Sequence, residues 1–224
     1  MKTAAAQSES NILMEYVGVF KTTIRINQTI QDPATMITRI VDDGGIEKIR
    51  ENSHRYTGTF NSATNVMTLK QLDDNDGTKY ADGSTANLTT LGTDVWMKLP
   101  QFYWKCEQYA TNIWDFTVCF GAKPDDSYKE WDGKDLIGVY EAYSYLSAST
   151  RMLYSVSGKT STSNYSHMNF ETYANNRGSG FSMVKWKHHC MMVMLFYAWY
   201  GNTNSQAICG NGSADKTGDR KSIV

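Results

Sequence analysis

His188, His189 and Cys190 are adjacent in the sequence and carry the side chains most often found in soft metal sites and cysteine nucleophiles. Neighbouring residues on a helix point about 100° apart, so His189 and Cys190 cannot both face one ion. The chain also lacks the HExxH pattern, which places two histidines one helical turn apart. We therefore expect no metal, no catalytic residue and no cofactor, and a protein that is not an enzyme.

Two loops resemble ligand-binding motifs without meeting their spacing. Gly158-Lys159-Thr160 would end a phosphate loop only if a glycine stood at position 153, where this chain has Leu153. The acidic segment 73–77 would need an aspartate in place of Leu72 to begin a calcium loop. We interpret both segments as polar loops.

Paired carboxylates occur at Asp125 with Asp126 and at Asp132 with Asp135. Such pairs can act as general acid and base when their surroundings differ. These four residues lie in a hydrophilic segment, without apolar neighbours that would stabilise a protonated carboxyl group. We expect solvated charges at all four positions.

The composition is that of a folded protein with no general attraction to polyanions. The 224 residues are 41% hydrophobic and 12% aromatic, which is enough for one or two domains with a core. A formal net charge of −1 predicts no general binding to nucleic acid or to an anionic membrane. Residues 1–16 contain no apolar run of the secretory kind, so we expect synthesis in the cytoplasm without membrane insertion.

Local sequence patterns predict strands and turns in the first part of the chain. Residues 56–60 and 66–72 flank a short polar turn, as the two strands of a β-hairpin do. Asp32 and Pro33 are typical of a helix start, because aspartate caps the first turn and proline fits its first position. This predicts a short helix over residues 33–41.

The stretch Phe181–Gly210 is a dense apolar block followed by a polar loop. Apolar residues recur in it at spacings of three and four, as one face of a helix does: Met183, Trp186, Cys190, Val193, Tyr197 and Tyr200. Because the other faces are also apolar, we predict a buried helix whose first turn, Lys185–His189, lies nearest water. The Tyr, Trp, Asn, Ser and Gly residues that follow are typical of binding loops.

Five motifs in the second half of the chain resemble one family in their order along the sequence. They are DVWMKLPQFYWK at Asp94–Lys105, LIGVYEAY at Leu136–Tyr143, SVSGKT at Ser155–Thr160, NRGSGFSMVKWKHH at Asn176–His189 and LFYAWYGNTNSQAICG at Leu195–Gly210. These motifs resemble tail-associated proteins of phages and prophages of gut bacteria. Such proteins carry a C-type lectin-like domain similar to that of the major tropism determinant and of variable proteins diversified by retroelements.

The resemblance implies an α+β fold in which two helices flank a twisted antiparallel sheet and hold an irregular, receptor-binding loop surface. Residues 93–224 would form this domain, and a small β-rich region, 1–92, would attach it to the virion or build the oligomer. The protein would then be a phage tail or tail-fibre component, located in the virion tail. Its partners would be a bacterial surface glycan or protein, other tail proteins and further copies of itself, with a trimer favoured.

The resemblance also assigns roles to individual residues. Trp186, Tyr200, Asn202, Gln206 and Gly210 match its motifs and would be scaffold, since amides and glycines fix loops by local hydrogen bonds. Exposed positions around them would bind the ligand, together with two residues of the preceding loop. The predicted ligand-binding residues are Lys185, His188, Trp199, Asn204, Asn211, Ser213, Asp215, Tyr165 and His167.

Two alternatives use the same fold class. A bacterial surface adhesin would require an export signal, which the first residues do not show. An oxidoreductase of the formylglycine-generating class would require a reactive cysteine pair near the end of the domain. Cys190 lies in the apolar block and Cys209 in the closing loop, so the sequence does not match that arrangement.

Overall fold

The computed structural model describes residues 18–140, 143–146 and 151–210. These residues have an α+β architecture built on antiparallel sheets, as the sequence predicts. Their contacts divide them into two compact units. The first unit contains residues 18–50, 101–132 and 190–210, and the second contains residues 51–100, 133–140, 143–146 and 151–189. Each unit thus draws on residues before and after position 92, and the functional division into 1–92 and 93–224 stays a prediction.

The first unit is built on a five-stranded antiparallel sheet. Its strands lie in the spatial order β2 (Ile37–Asp42), β1 (Val19–Asn27), β7 (Ile113–Gly121), β6 (Phe102–Ala110) and β8 (Lys129–Trp131). Ile24, Phe102, Phe116 and Val118 are fully buried on this sheet and form its core. Burial of such side chains supplies about 1.5–3 kcal/mol each, which holds the sheet in one register.

Helix α1 (Gly45–Glu51) lies against strand β1 because its first residue has no side chain. A Cβ atom at Gly45 would lie 2.7 Å from the backbone of Lys21 and Thr22. The backbone N–H of Ile46 donates a hydrogen bond to the hydroxyl of Thr22 at 3.0 Å, and Ile46 and Ile49 are buried. This close approach satisfies one of the free N–H groups at the helix start.

The second unit is built on a four-stranded antiparallel sheet, a separate two-stranded ribbon, a helix and the first turn of a further helix. The sheet order is β4 (Val66–Gln71), β3 (His54–Asn61), β5 (Thr93–Lys98) and β9 (Leu136–Gly138). The ribbon pairs β10 (Tyr143–Leu146) with β11 (Arg151–Tyr154), and the helix is α2 (His167–Asn175). Strands β3 and β4 confirm the predicted hairpin.

An ion pair between Asp94 and Arg177 is buried inside the second unit. The side chains of Asp94 and Arg177 are 0% and 5% exposed, and the guanidinium contacts one carboxylate oxygen directly. The other carboxylate oxygen accepts the backbone N–H of Ser155 at 2.7 Å. Arg177 also donates to the carbonyl of Leu153 at 2.8 Å. The pair therefore joins β5, the end of β11 and the segment after α2.

The segment predicted as a helix, 33–41, is a single turn followed by strand β2, so that prediction is wrong. The carboxylate of Asp32 accepts the N–H of Ala34 at 3.0 Å, and its carbonyl accepts the N–H of Met36 at 3.0 Å. The turn stops there because Ile37 and the β-branched residues after it pair with β1. Tertiary pairing outweighs the local capping signal.

The apolar block forms helix α3 (Trp186–Tyr200), but this helix is not buried on all sides as predicted. Its buried residues are Met191, Leu195 and Ala198, which form one stripe, while Met192 is exposed. Lys185 and His189 are exposed, in agreement with the prediction for the first turn. In the described part of the chain, none of the helices combines the length and the apolar character needed to cross a bilayer.

Replacing Arg177 by alanine would leave the carboxylate of Asp94 buried without its counter-charge. We expect R177A to lower the free energy of unfolding by about 3–5 kcal/mol, since breaking a buried pair leaves an uncompensated charge. Urea titration followed by circular dichroism measures this loss. The control is K79A, which removes an exposed lysine paired with Asp76 in the same unit and should cost at most about 1 kcal/mol. Equal losses in the two variants would contradict the role given to the buried pair.

Candidate functional site

A groove of about 360 Å³ lies in the second unit, between the β3–β4 hairpin, strand β9 and the segment that leads into helix α3. Its walls are formed by apolar side chains, and polar and charged groups stand among them. The lining residues are Phe60, Asn65, Met67, Trp96, Lys134, Asp135, Leu136, Ile137, Gly138, Ser179, Gly180, Phe181, Ser182, Met183, Val184, Lys185, Lys187 and His188. A concave site of this size with few polar groups is typical of small-ligand binding.

Three aromatic rings form the apolar wall of the groove. The ring of Phe181 meets Phe60 edge to face at a centroid distance of 4.9 Å and lies 6.1 Å from the ring of Trp96. A Cβ atom at Gly58 would lie 2.7 Å from the indole of Trp96, so the absence of a side chain there lets the ring lie close to β3. The wall is thus fixed by close packing.

The buried ion pair extends to this wall through Phe181. The guanidinium carbon of Arg177 lies 4.8 Å from the ring centre of Phe181 and 4.1 Å from that of Tyr154. Since Asp94 holds the guanidinium in place, the cation fixes one face of the Phe181 ring. A buried structural interaction therefore positions a side chain that lines the groove.

Asp135, Lys187 and His188 form the charged edge of the groove. The same carboxylate oxygen of Asp135, Oδ2, contacts the ammonium of Lys187 at 2.8 Å and Nε2 of His188 at 2.9 Å. Nδ1 of His188 accepts the backbone N–H of Lys185 at 3.2 Å, so neutral His188 carries its proton on Nε2 and donates it to Asp135. Through its bond to the N–H of Lys185, the imidazole of His188 caps the first turn of α3. The side chain at the third helical position of a capping box makes the same kind of bond.

Hydrogen bonds from Lys187 and then from His188 lower the pKa of Asp135, while partial burial acts in the opposite direction. The carboxylate therefore stays charged at the edge of the groove. The sequence predicts solvated charges at Asp125, Asp126, Asp132 and Asp135. The side chain of Asp135 is 43% exposed, and it also holds two partners. Its partners are 52 and 53 residues away in the sequence, so local composition gave no sign of them.

Two of the predicted ligand-binding residues, Lys185 and His188, line the groove together. Lys185 is exposed, while the side chain of His188 is only 12% exposed. The two other predicted residues of this unit, Tyr165 and His167, lie at the start of α2 and are not part of the lining. Tyr165 packs edge to face on Tyr173 at 5.6 Å and contacts the guanidinium of Arg151, so its ring has a structural role.

Trp199 and Asn204 belong to the first unit. The ring of Trp199 is half-buried and is covered by the guanidinium of Arg50 at 4.2 Å. The side chain of Asn204 is exposed and caps helix α4 (Ser205–Cys209) by accepting the N–H of Ala207 at 3.0 Å. Asn211, Ser213 and Asp215 lie outside the described residues, so their predicted role in binding stays a prediction.

Trp186, which the resemblance assigns to the scaffold, is 77% exposed. Its ring contacts His189 at 5.2 Å, and its sequence neighbours Lys185 and Lys187 both line the groove. The exposure leaves this large aromatic surface in contact with solvent.

Sequence patterns did not identify the aromatic wall or the Asp94–Arg177 pair that supports it. Phe60, Trp96 and Phe181 come from three segments, and hydrophobic periodicity marks such residues as core without showing that they share one surface. One available signal was Asp94 beside Val95 and Trp96, since a charge within an apolar strand needs a buried partner.

The four cysteines are free thiols. Burial raises the pKa of Cys119, and partial desolvation together with the nearby carboxylate of Asp115 raises the pKa of Cys106, although Cys106 is exposed. Both shifts disfavour the thiolate that cysteine chemistry needs. Within residues 18–140, 143–146 and 151–210, no group of three or more His, Cys, Asp or Glu side chains is placed to hold a metal ion. Comparison of the chain with protein-family models, with curated proteins and with solved structures finds no match.

Gly178 and Gly180 provide a test of the aromatic wall. A Cβ atom at Gly178 would lie 2.5 Å from the ring of Phe60, whereas one at Gly180 would meet nothing within 4 Å, and both residues have positive φ. We expect G180A to cost about 1–2 kcal/mol for its backbone conformation alone. G178A should cost about 1–3 kcal/mol more, because the Phe60 ring must move. Urea unfolding measures both variants, and equal losses would show that Phe60 does not pack tightly on Gly178.

Asp135→Asn tests the charged cluster through pH. A carboxyl group whose folded-state pKa is lowered stabilises the fold above its ordinary pKa, and this contribution is lost as the pH falls through the folded-state value. We expect D135N to be less stable than the wild type by about 0.5–1 kcal/mol at pH 7, because Asp135 is partly exposed.

The difference between D135N and the wild type should shrink as the pH falls from 7 through the lowered folded-state pKa of Asp135, because the wild-type carboxyl is then protonated and resembles the amide. Thermal unfolding across this pH range measures it, with D126N as the exposed control. A difference between wild type and D135N that does not change with pH would mean that the charge of Asp135 stabilises nothing.

Proposed function

We propose that this protein is a receptor-binding protein of a phage tail or tail fibre and that it recognises a ligand on a bacterial surface. The observation that carries the proposal is the groove of the second unit, where a fixed aromatic wall faces exposed polar and charged side chains. Aromatic residues supply large contact area at a small cost in side-chain entropy, and Ser, Asn and Gly supply adaptable hydrogen bonds. This combination supports recognition of a small surface group.

The motifs that resemble lectin-like tail proteins also supply the groove. Trp96 comes from the motif at Asp94–Lys105, and Phe181, Lys185 and His188 come from the motif at Asn176–His189. We therefore assign a C-type lectin-like domain to this part of the chain. The antiparallel sheets and the helices α2 and α3 are compatible with that assignment.

Binding in this groove requires no bond-making step and no cofactor. The aromatic wall is held by Arg177 and by close packing before a ligand arrives, so little ordering entropy is lost on binding. The lysine and histidine side chains at the edge then select among ligands by charge and hydrogen bonding. The protein would act as a subunit of an oligomer, with a trimer favoured, and residues 1–92 would connect it to other tail proteins.

Retention of the purified protein on envelope fractions of gut bacteria tests the proposal. Ser182 is exposed at the edge of the groove, so Ser182→Trp should fill the groove without disturbing the core and should reduce retention at least about tenfold. Ser163→Trp places the same side chain at an exposed position of the same unit outside the lining and should leave retention unchanged.

Two results would contradict this proposal. If no envelope fraction retains the wild-type protein, receptor binding is wrong. If S182W is retained to the same extent as S163W, the receptor does not bind in the groove. Detection of the protein in purified phage particles with a specific antibody separates a virion component from a cell-surface adhesin, since only the former is expected in the particles.

A further inference from the structure

We propose that the groove binds an extended peptide segment, which adds as a strand to the open edge of β9 and inserts one apolar side chain against the aromatic wall. This inference rests on the proposed function and adds to it the chemical class of the receptor, a protein. The main-chain groups of β9, the space beside Gly138 and the size of the groove support it.

Strand β9 is an edge of the four-stranded sheet, and its residues Leu136 and Gly138 line the groove. The N–H of Val139 donates to the carbonyl of Val95 in β5 at 3.1 Å. Main-chain groups of successive residues in an antiparallel strand point to opposite sides, so those of Leu136 and Gly138 point away from β5. Among the residues that the structure describes, none forms a hydrogen bond with these groups. The open edge thus carries two N–H donors and two carbonyl acceptors.

An extended peptide matches these four groups. In strand addition the main chain of the ligand pairs with an open sheet edge, and alternate side chains enter pockets beside it. One antiparallel peptide residue pairs its N–H and its carbonyl with both groups of Gly138 at once, whereas a sugar hydroxyl meets such groups singly and in no fixed register. Because β9 is only three residues long, it pairs with a short segment of the receptor.

Gly138 leaves space beside the ring of Trp96 for a side chain of the ligand. The two residues lie opposite each other in the pairing of β5 with β9, so they share one face of the sheet. Gly138 is exposed, and a Cβ atom on it would lie 3.9 Å from the indole of Trp96. A glycine within a strand often marks a place where a ligand or another chain approaches closely. An apolar side chain opposite Gly138 therefore extends the aromatic wall.

The size of the groove suits a short segment of chain. Five extended residues cover the length of β9 with one residue beyond each end, and each residue adds about 3.4 Å. The groove volume of about 360 Å³ lies near the lower end of the range of about 300–1,000 Å³ that small-ligand sites occupy. The rest of the receptor then stays outside the groove.

The capped pentapeptides Thr-Thr-X-Thr-Thr test the proposal, where X is phenylalanine, leucine or alanine. Isothermal titration calorimetry on the full chain should detect the phenylalanine or the leucine peptide and show at least about tenfold weaker binding of the alanine peptide, which cannot reach the aromatic wall. S182W should weaken binding of the tighter peptide at least about tenfold, because it fills the groove. S163W lies outside the lining and should leave its affinity within about twofold.

Two N-methylated forms of the tighter peptide test the pairing itself. In antiparallel strand addition the N–H of X donates to the carbonyl of Gly138, whereas the N–H of the next residue points away from β9. N-methylation of X should therefore weaken binding at least about tenfold. N-methylation of the next residue is the matched control and should leave the affinity within about twofold. Equal affinities of the two forms would overturn strand addition.

Treated envelopes separate this inference from the proposed function. Retention of the wild-type protein that proteinase K removes and periodate leaves intact would support a peptide receptor. Retention that survives proteinase K and is lost after periodate would mean a saccharide receptor, so the peptide class would be wrong while receptor binding stands. If none of the three peptides binds the wild-type protein, the peptide class is also wrong.

Discussion

The second unit depends on one electrostatic constraint, the burial of Asp94 with Arg177. Two opposite charges withdrawn from water are stable only when each remains in contact with the other and with further hydrogen-bonding groups. Ser155 and Leu153 supply those groups, so the pair fixes β5, the end of β11 and the segment after α2 at one point. The pair specifies one arrangement of these segments, because a shifted arrangement would leave a charge buried alone.

The buried Asp94–Arg177 pair also fixes the shape of the groove. Arg177 contacts the ring of Phe181, Phe181 meets Phe60, and Gly178 leaves the space that Phe60 occupies. The charged edge has a separate support, in which Asp135 binds Lys187 and His188 and thereby fixes the first turn of α3. A rigid wall opposite a charged edge is the arrangement expected of a site that selects a ligand by shape and charge.

Only part of the candidate site was accessible to sequence reasoning. Lys185 and His188 are predicted as exposed positions around the motif residues of the family resemblance, and both line the groove. Trp199 was selected for its aromatic character, but Arg50 covers its ring, a contact between residues far apart in sequence. Composition shows which side chains are suited to binding, whereas exposure depends on what packs against them.

The sequence by itself determined the local elements: the β3–β4 hairpin and the helical periodicity of α3 follow from patterns within a few neighbouring residues. It failed at residues 33–41, where pairing with β1 outweighed a helix-start signal. The groove, the Asp94–Arg177 pair and the partners of Asp135 were decided by tertiary structure alone. Asp94 and Arg177 are 83 residues apart in the sequence, and Asp135 and Lys187 are 52 apart. A charge or a ring becomes part of a site only when folding brings its distant partner into contact.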